Sequence, residues 1–157
     1  MKNLALYALV ALGGVGYNAI MSADRDQSGS IVDAGYVDAF ALRVGDCFND
    51  TTAMEHGEIV NLPGVPCSEP HDNEVYALID VDLTEFPGDD AIGNLAMERC
   101  LERFPSFVGR DYDSSSLDIF TMQPSRESFA ANDREVICAV YDMEFGKLEG
   151  SVKGRAL

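Results

Sequence analysis

Residues 74–83 read Glu74-Val75-Tyr76-Ala77-Leu78-Ile79-Asp80-Val81-Asp82-Leu83, and a proline–glycine break at Pro87-Gly88 separates them from residues 89–105. The first stretch alternates, with Val75, Ala77, Ile79, Val81 and Leu83 expected on one face, which is the period of a half-buried strand. The second changes period. Ile92, Leu95, Ala96, Cys100 and Phe104 recur at helical spacing, Asp89 or Asp90 stands where a cap belongs, and Pro105 is expected to stop the helix. A strand followed by one amphipathic helix, with further strands on either side, specifies an α+β fold. Residues 135–143 place Val136, Cys138 and Val140 on one face and Ile137, Ala139 and Tyr141 on the other. Leu117, Ile119 and Thr121 make a shorter strand, and residues 41–48 another. The expectation is an antiparallel sheet carrying one main packed helix.

The four cysteines, at 47, 67, 100 and 138, are an even number. None of their spacings is the short pair that zinc sites or thiol redox motifs use, so they read as two disulfides, with three pairings open. Cys100 lies on the apolar stripe of the helix and Cys138 in mid-strand. A helix laid on the sheet brings them together, which predicts Cys100–Cys138 and leaves Cys47–Cys67.

The amino end gives an address. Residues 1–23 carry one charged side chain, Lys2, and Leu4 to Met21 is an uncharged run of the length that just crosses a hydrocarbon core. It reads as an uncleaved membrane anchor or a cleaved signal segment. Cleavage after Ala23 or Ala19 would put Met21 or Tyr17 where a small residue belongs. With Lys2 on one side, residues 24–157 are expected outside the cytoplasm, where disulfides persist. Residues 24–40 are polar and rich in Gly, Ser and Asp, and read as a linker to a body spanning 41–157. Within them Asp24, Asp26, Ser28 and Gly29 mimic the start of a calcium loop, but Gly35 stands where the bidentate glutamate would be.

Composition narrows the function. The chain has 157 residues, 46% apolar, enough for a core, and a formal charge of −16 from 27 acidic and 11 basic side chains. All the acidic residues and every basic one but Lys2 lie beyond residue 23. Such a body is not expected to bind nucleic acid or anionic lipid, since phosphate binding needs Lys and Arg. The sequence contains no dinucleotide or phosphate loop, no His-Glu-x-x-His, no nucleophile elbow and no tryptophan. No cofactor is implied.

Five blocks carry a family resemblance: Leu42-Arg43-Val44-Gly45-Asp46-Cys47-Phe48; Val65-Pro66-Cys67-Ser68-Glu69-Pro70-His71-Asp72-Asn73-Glu74-Val75; Cys100 in its helix; Pro124 followed by Asn132-Asp133-Arg134-Glu135-Val136-Ile137-Cys138; and Gly150-Ser151-Val152-Lys153-Gly154. Their order and spacing resemble the septum-formation domain family of actinobacterial membrane proteins, over roughly residues 41–154. The resemblance implies one membrane helix joined to an extracytoplasmic cysteine-bearing domain with a role in envelope or septum biology, and no defined activity. Phe129 replaces a usual Trp, Asn132 a usual Gly and Val152 a usual Leu. The long proline-rich cytoplasmic segment of many such proteins is not in the sequence.

Most of these residues read as loop-holding Asx, Pro and Gly. The functional reading is a recognition surface of Asp46, Glu69, His71, Asp72, Glu74 and Arg134, with Arg134 paired to Asp46, Glu69 or Asp72. His71 reads first as a loop histidine bonded to a neighbour, and His56 carries no signal. Two functions are therefore expected. The first is a non-enzymatic, membrane-anchored binding or scaffold protein of the envelope, with a membrane or envelope protein as partner. The second is a secreted small enzyme, or a metal or ligand binder, centred on His71 and its carboxylates.

Overall fold

The computed structural model describes residues 22–51 and 59–157. The Leu4–Met21 run and His56 lie outside the described residues. Among those described, no helix is long and apolar enough to cross a membrane.

The expected α+β architecture is present. Strands β1 (Asp24–Arg25) and β2 (Ile31–Asp33) form a hairpin. Strands β3 (Gly35–Asp38), β4 (Cys47–Phe48), β5 (Asn61–Val65), β6 (Asn73–Asp80), β7 (Leu117–Met122) and β8 (Glu135–Asp142) form one sheet in the order β3-β5-β4-β6-β8-β7, with every neighbouring pair antiparallel. Helix α1 (Asp89–Val108) covers one face, and a short helix α2 (Arg126–Ala130), capped by the Ser125 hydroxyl, precedes β8.

The sheet is buried on both faces. Between sheet and α1 lie Ile92, Ala96, Cys100, Phe104, Val136, Cys138 and Val140; on the opposite face lie Ile31, Phe48, Leu62, Val75, Ile137 and Ala139. The alternation of β8 is thus as the sequence implies. That of β6 is interrupted. Val75 pairs with Ala139 and Ala77 with Cys138, so Tyr76 is the extra residue of a bulge. Val75 therefore faces away from α1, whereas Tyr76 and Ala77 both face it. The Tyr76 hydroxyl donates to the Cys100 carbonyl at 2.8 Å, which satisfies a polar tip inside the core.

Three local expectations are corrected. Residues 24–40 are not a linker: they form β1, β2 and β3, and β3 pairs with β5 from Gly35–Gly64 to Asp38–Asn61. Their polar residues make turns rather than loose chain. Asp26 Oδ1 accepts from the Ser28 amide and hydroxyl and from the Ser30 amide, which closes the β1–β2 hairpin. Second, the 41–48 strand shrinks to Cys47–Phe48. Asp38 caps a 3-10 turn at Ala39–Ala41, and Gly45, at φ 93°, turns the chain just before β4.

Third, Pro105 does not stop the helix. It sits inside α1, which runs on to Val108 and ends at the left-handed Gly109. An interior proline costs a helix about 3 kcal/mol. Burying one large apolar side chain is worth about 1.5–3 kcal/mol, and continuing the turn buries two, Phe107 and Val108. The same helix has Gly88 at its N-cap with no side-chain cap bond, so Asp89 and Asp90 act from the first turn, where the helix dipole favours acidic groups.

Two residues that depart from the family pattern fit their positions. Asn132 has φ 73°, a conformation asparagine tolerates nearly as glycine does. The Phe129 ring lies under the Arg134 guanidinium, 3.4 Å from its carbon to the ring centroid. Gly64 is required by close approach inside β5: a Cβ there would meet Val37 Cγ2 at 2.6 Å and Ile31 Cδ1 at 2.9 Å.

At the β7 edge, the Tyr112 and Tyr141 hydroxyls donate to the two oxygens of Asp118, at 2.6 and 2.9 Å. Burial pushes the Asp118 carboxyl up, but bonds from Tyr112, the Ile119 amide and Tyr141 outweigh it and hold the group below its ordinary 3.8. The bond to Asp118 and burial push the Tyr112 phenol up to about 12. A depressed carboxyl stabilises the fold above its unfolded value and loses that contribution as pH falls through the folded one. A raised phenol stabilises below pH 10.0 and loses its contribution as pH rises through about 12. In an alkaline tyrosinate absorbance titration, Asp118→Asn is expected to move one transition from about 12 back toward 10. An unchanged titration curve would refute the assignment.

Candidate functional site

The block from Val65 to Val75 bends over the end of the sheet, and four of its neighbours hold it there. The Cys47–Cys67 disulfide ties it to β4. His71 exchanges both backbone hydrogen bonds with Leu148, the Gly150 amide donates to the Cys67 carbonyl, and Lys147 pairs with Asp72 at 2.7 Å. The C-terminal segment 147–154 thus straps the block down.

Beneath that strap lie His71 and Glu74, both with 0% exposure. His71 Nδ1 lies 2.7 Å from the Glu69 carbonyl, an oxygen that can only accept, so Nδ1 carries the proton. Nε2 is buried and has no hydrogen-bond partner among the described residues. The two oxygens of Glu74 accept from the Ser151 hydroxyl at 2.6 Å and the Val152 amide at 2.7 Å. No ion pair reaches Glu74 among the described residues. One ligand atom from each of Cys47, His71 and Glu74 lies within 4.8 Å of the others. A cavity of about 300 Å³ opens on Cys47, Cys67, Glu74, Ser151 and Lys153.

The six residues named from sequence separate. His71 and Glu74 converge beneath the strap rather than on a surface. Asp46 is also buried, at 2% exposure, but its partner is Arg25, bound bidentately at 2.6 and 2.7 Å. Asp72 holds Lys147 and accepts from the Asp50 amide, and Glu69 is exposed. Arg134 pairs with none of the three carboxylates proposed for it. It donates to the carbonyls of Leu83, Phe129 and Asp133, which braces α2 against the turn into β8. Arg25 and Ser151 carry no sequence signal beyond their place in short blocks, because their partners lie 21 and 77 residues away.

A family model described as septum formation matches residues 44–155, from the turn before β4 to the end of the strap. The chain belongs to the septum-formation family. The matched span contains both disulfides, Cys47–Cys67 and Cys100–Cys138, and all three members of the buried cluster. Comparison with curated proteins and with solved structures brought no match. The hairpin Asp24–Asp33 and strand β3 precede the matched span, yet Arg25 supplies the partner of Asp46 inside it.

Proposed function

We propose that this septum-formation family member is a membrane-anchored binding or scaffold protein of the cell envelope, its disulfide-braced body outside the cytoplasm and docked on a membrane or envelope protein. The observation that carries the reading is the family match, which covers residues 44–155 and with them both disulfides. Three further facts support it. Two disulfides suit an oxidising compartment. The uncharged run from Leu4 to Met21, preceded by Lys2, suits a membrane segment with the body on the far side. The polar residues of the family blocks, Asp46, Asp72, Asp133 and Arg134, are engaged in bonds that hold loops together, as a rigid display frame needs.

The test is localisation of the full chain in dividing cells of its host, by immunolabelling combined with fractionation. The expected result is enrichment at the division site, release from membranes by detergent and not by high salt, and digestion of the body by protease added to cells stripped of their wall. Uniform labelling, or a body shielded from external protease until the membrane is broken, would overturn the reading.

A further inference from the structure

The cluster beneath the strap is built like a metal site that lacks one ligand in its disulfide form. We propose that reduction of the Cys47–Cys67 disulfide converts it into a site for a zinc-class divalent cation, held by Cys47 Sγ, His71 Nε2 and a Glu74 carboxylate oxygen, and this goes beyond the envelope role.

Three independent observations converge. His71 presents a buried Nε2 with no hydrogen-bond partner among the described residues, a ring nitrogen that a cation can take as a ligand. Its Nδ1–H is fixed on a backbone carbonyl, the arrangement that orients ligating histidines and raises their basicity. Glu74 is a buried carboxylate whose two hydrogen bonds come from neutral donors, so a cation would neutralise a charge that the described residues leave unpaired. Each of its oxygens retains a lone pair for a metal. The third ligand atom, Cys47 Sγ, is already within 4.8 Å of a His71 ring nitrogen and a Glu74 oxygen. A thiolate, an imidazole and a carboxylate together suit zinc or cobalt rather than calcium or magnesium, which take oxygen ligands.

The disulfide is the gate because a disulfide sulfur is not a thiolate. A dithiol reductant supplies two electrons and two protons: the S–S bond breaks, both cysteines become thiols, and the reductant becomes a cyclic disulfide. On binding, the Cys47 thiol gives its proton to solvent and the metal stays divalent. The fourth position falls to the freed Cys67 thiol or to water. Access differs between the two disulfides: Cys67 is partly exposed at the cavity, while Cys47, Cys100 and Cys138 are all 0% exposed.

The test uses the full chain in mild detergent, with cobalt(II) as the probe. Cys67→Ser frees Cys47 without any reductant. This variant is expected to bind one cobalt with a thiolate-to-metal charge-transfer band that zinc abolishes, while the oxidised wild type shows no band. Adding His71→Ala is expected to weaken binding by about 100-fold or more, beyond the loss of an outer-shell partner. Cys47→Ser/Cys67→Ser is the background control. Should Cys67→Ser not fold, wild type reduced at the single accessible disulfide, confirmed by thiol counting, takes its place. Binding no tighter than in the double-serine protein, or an equal band in the oxidised wild type, would overturn the proposal.

Discussion

Replacing Arg25 with alanine is expected to remove about 3 kcal/mol or more of unfolding free energy, although Arg25 belongs to a two-residue strand outside the family match. Its guanidinium donates to both oxygens of Asp46 and to the Gly29 carbonyl at 2.7 Å. With Arg25 gone, Asp46 keeps the Arg43 amide as a donor but becomes a charge buried at 2% exposure with no cation. Leaving one member of such a pair unpaired costs about 3–5 kcal/mol, whereas an exposed ion pair is worth at most about 1. Arg25 is itself 18% exposed, which favours the lower end of that range.

The loss should spread. The Gly45–Asp46 turn is bonded to Val75 at the β6 bulge, by Gly45 N to Val75 O and Val75 N to Asp46 O, both at 2.8 Å. Arg25 therefore holds the hairpin to a turn that fixes the central strand. Arg25→Lys keeps the charge without the planar fork and should fall between wild type and alanine. The double variant Arg25→Ala/Asp46→Ala should lose less than the two single losses combined, because no orphaned charge remains. Urea unfolding of the wild type, the two Arg25 variants, Asp46→Ala and the double variant measures this; a loss below about 1 kcal/mol for Arg25→Ala would mean the pair behaves as a surface one.

The second large effect belongs to the Cys100–Cys138 disulfide. It ties α1 to β8 across 38 residues, with both cysteines fully buried. Closing a loop of that length restricts the unfolded chain by about 4 kcal/mol, against about 3 for the 20-residue separation of Cys47–Cys67. Cys100→Ala/Cys138→Ala is thus expected to be the more damaging of the two double replacements. It also leaves unfilled space in the core cluster that the two cysteines share with Tyr76, Ala96 and Val140. Unfolding curves compared across the wild type and the two double variants decide this, and the reverse order would refute it. Stepwise reduction followed by peptide mass mapping should open Cys47–Cys67 first, because Cys67 is partly exposed at the cavity.

Much of the frame was legible in residue order. The strand at 74–83, the helix after Pro87-Gly88, the strand at 135–143 and both disulfide pairings follow from local periodicity and from where each cysteine falls on it. A disulfide joins side chains that already face the core, so knowing the buried faces constrained the pairing. The misreadings share another cause. At Pro105 the local rule favours termination, but burial of Phe107 and Val108 outweighs it. At residues 24–40 a composition typical of flexible chain folds into turns and strands, because Asp26 and Asp38 bond backbone amides and Arg25 has a buried partner.

The candidate site was only half visible. His71 and its acidic neighbours stood out, yet they read as a surface, and Glu74 was grouped with Glu69 and Asp72. Their places in the fold separate them: Glu74 lies within β6 and is fully buried where Ser151 and Val152 meet it, while Asp72 precedes the strand and stays outside with Lys147. The sequence by itself determined the α+β class, the two disulfides and the family, since these rest on periodicity and on residue order along one chain. The tertiary structure alone decided that Arg25 is the partner of Asp46, and that Cys47, His71 and Glu74 share one buried pocket under residues 147–154. Those contacts join segments up to 78 residues apart, and their geometry is set by a bulge, a strap and a register that no local pattern encodes.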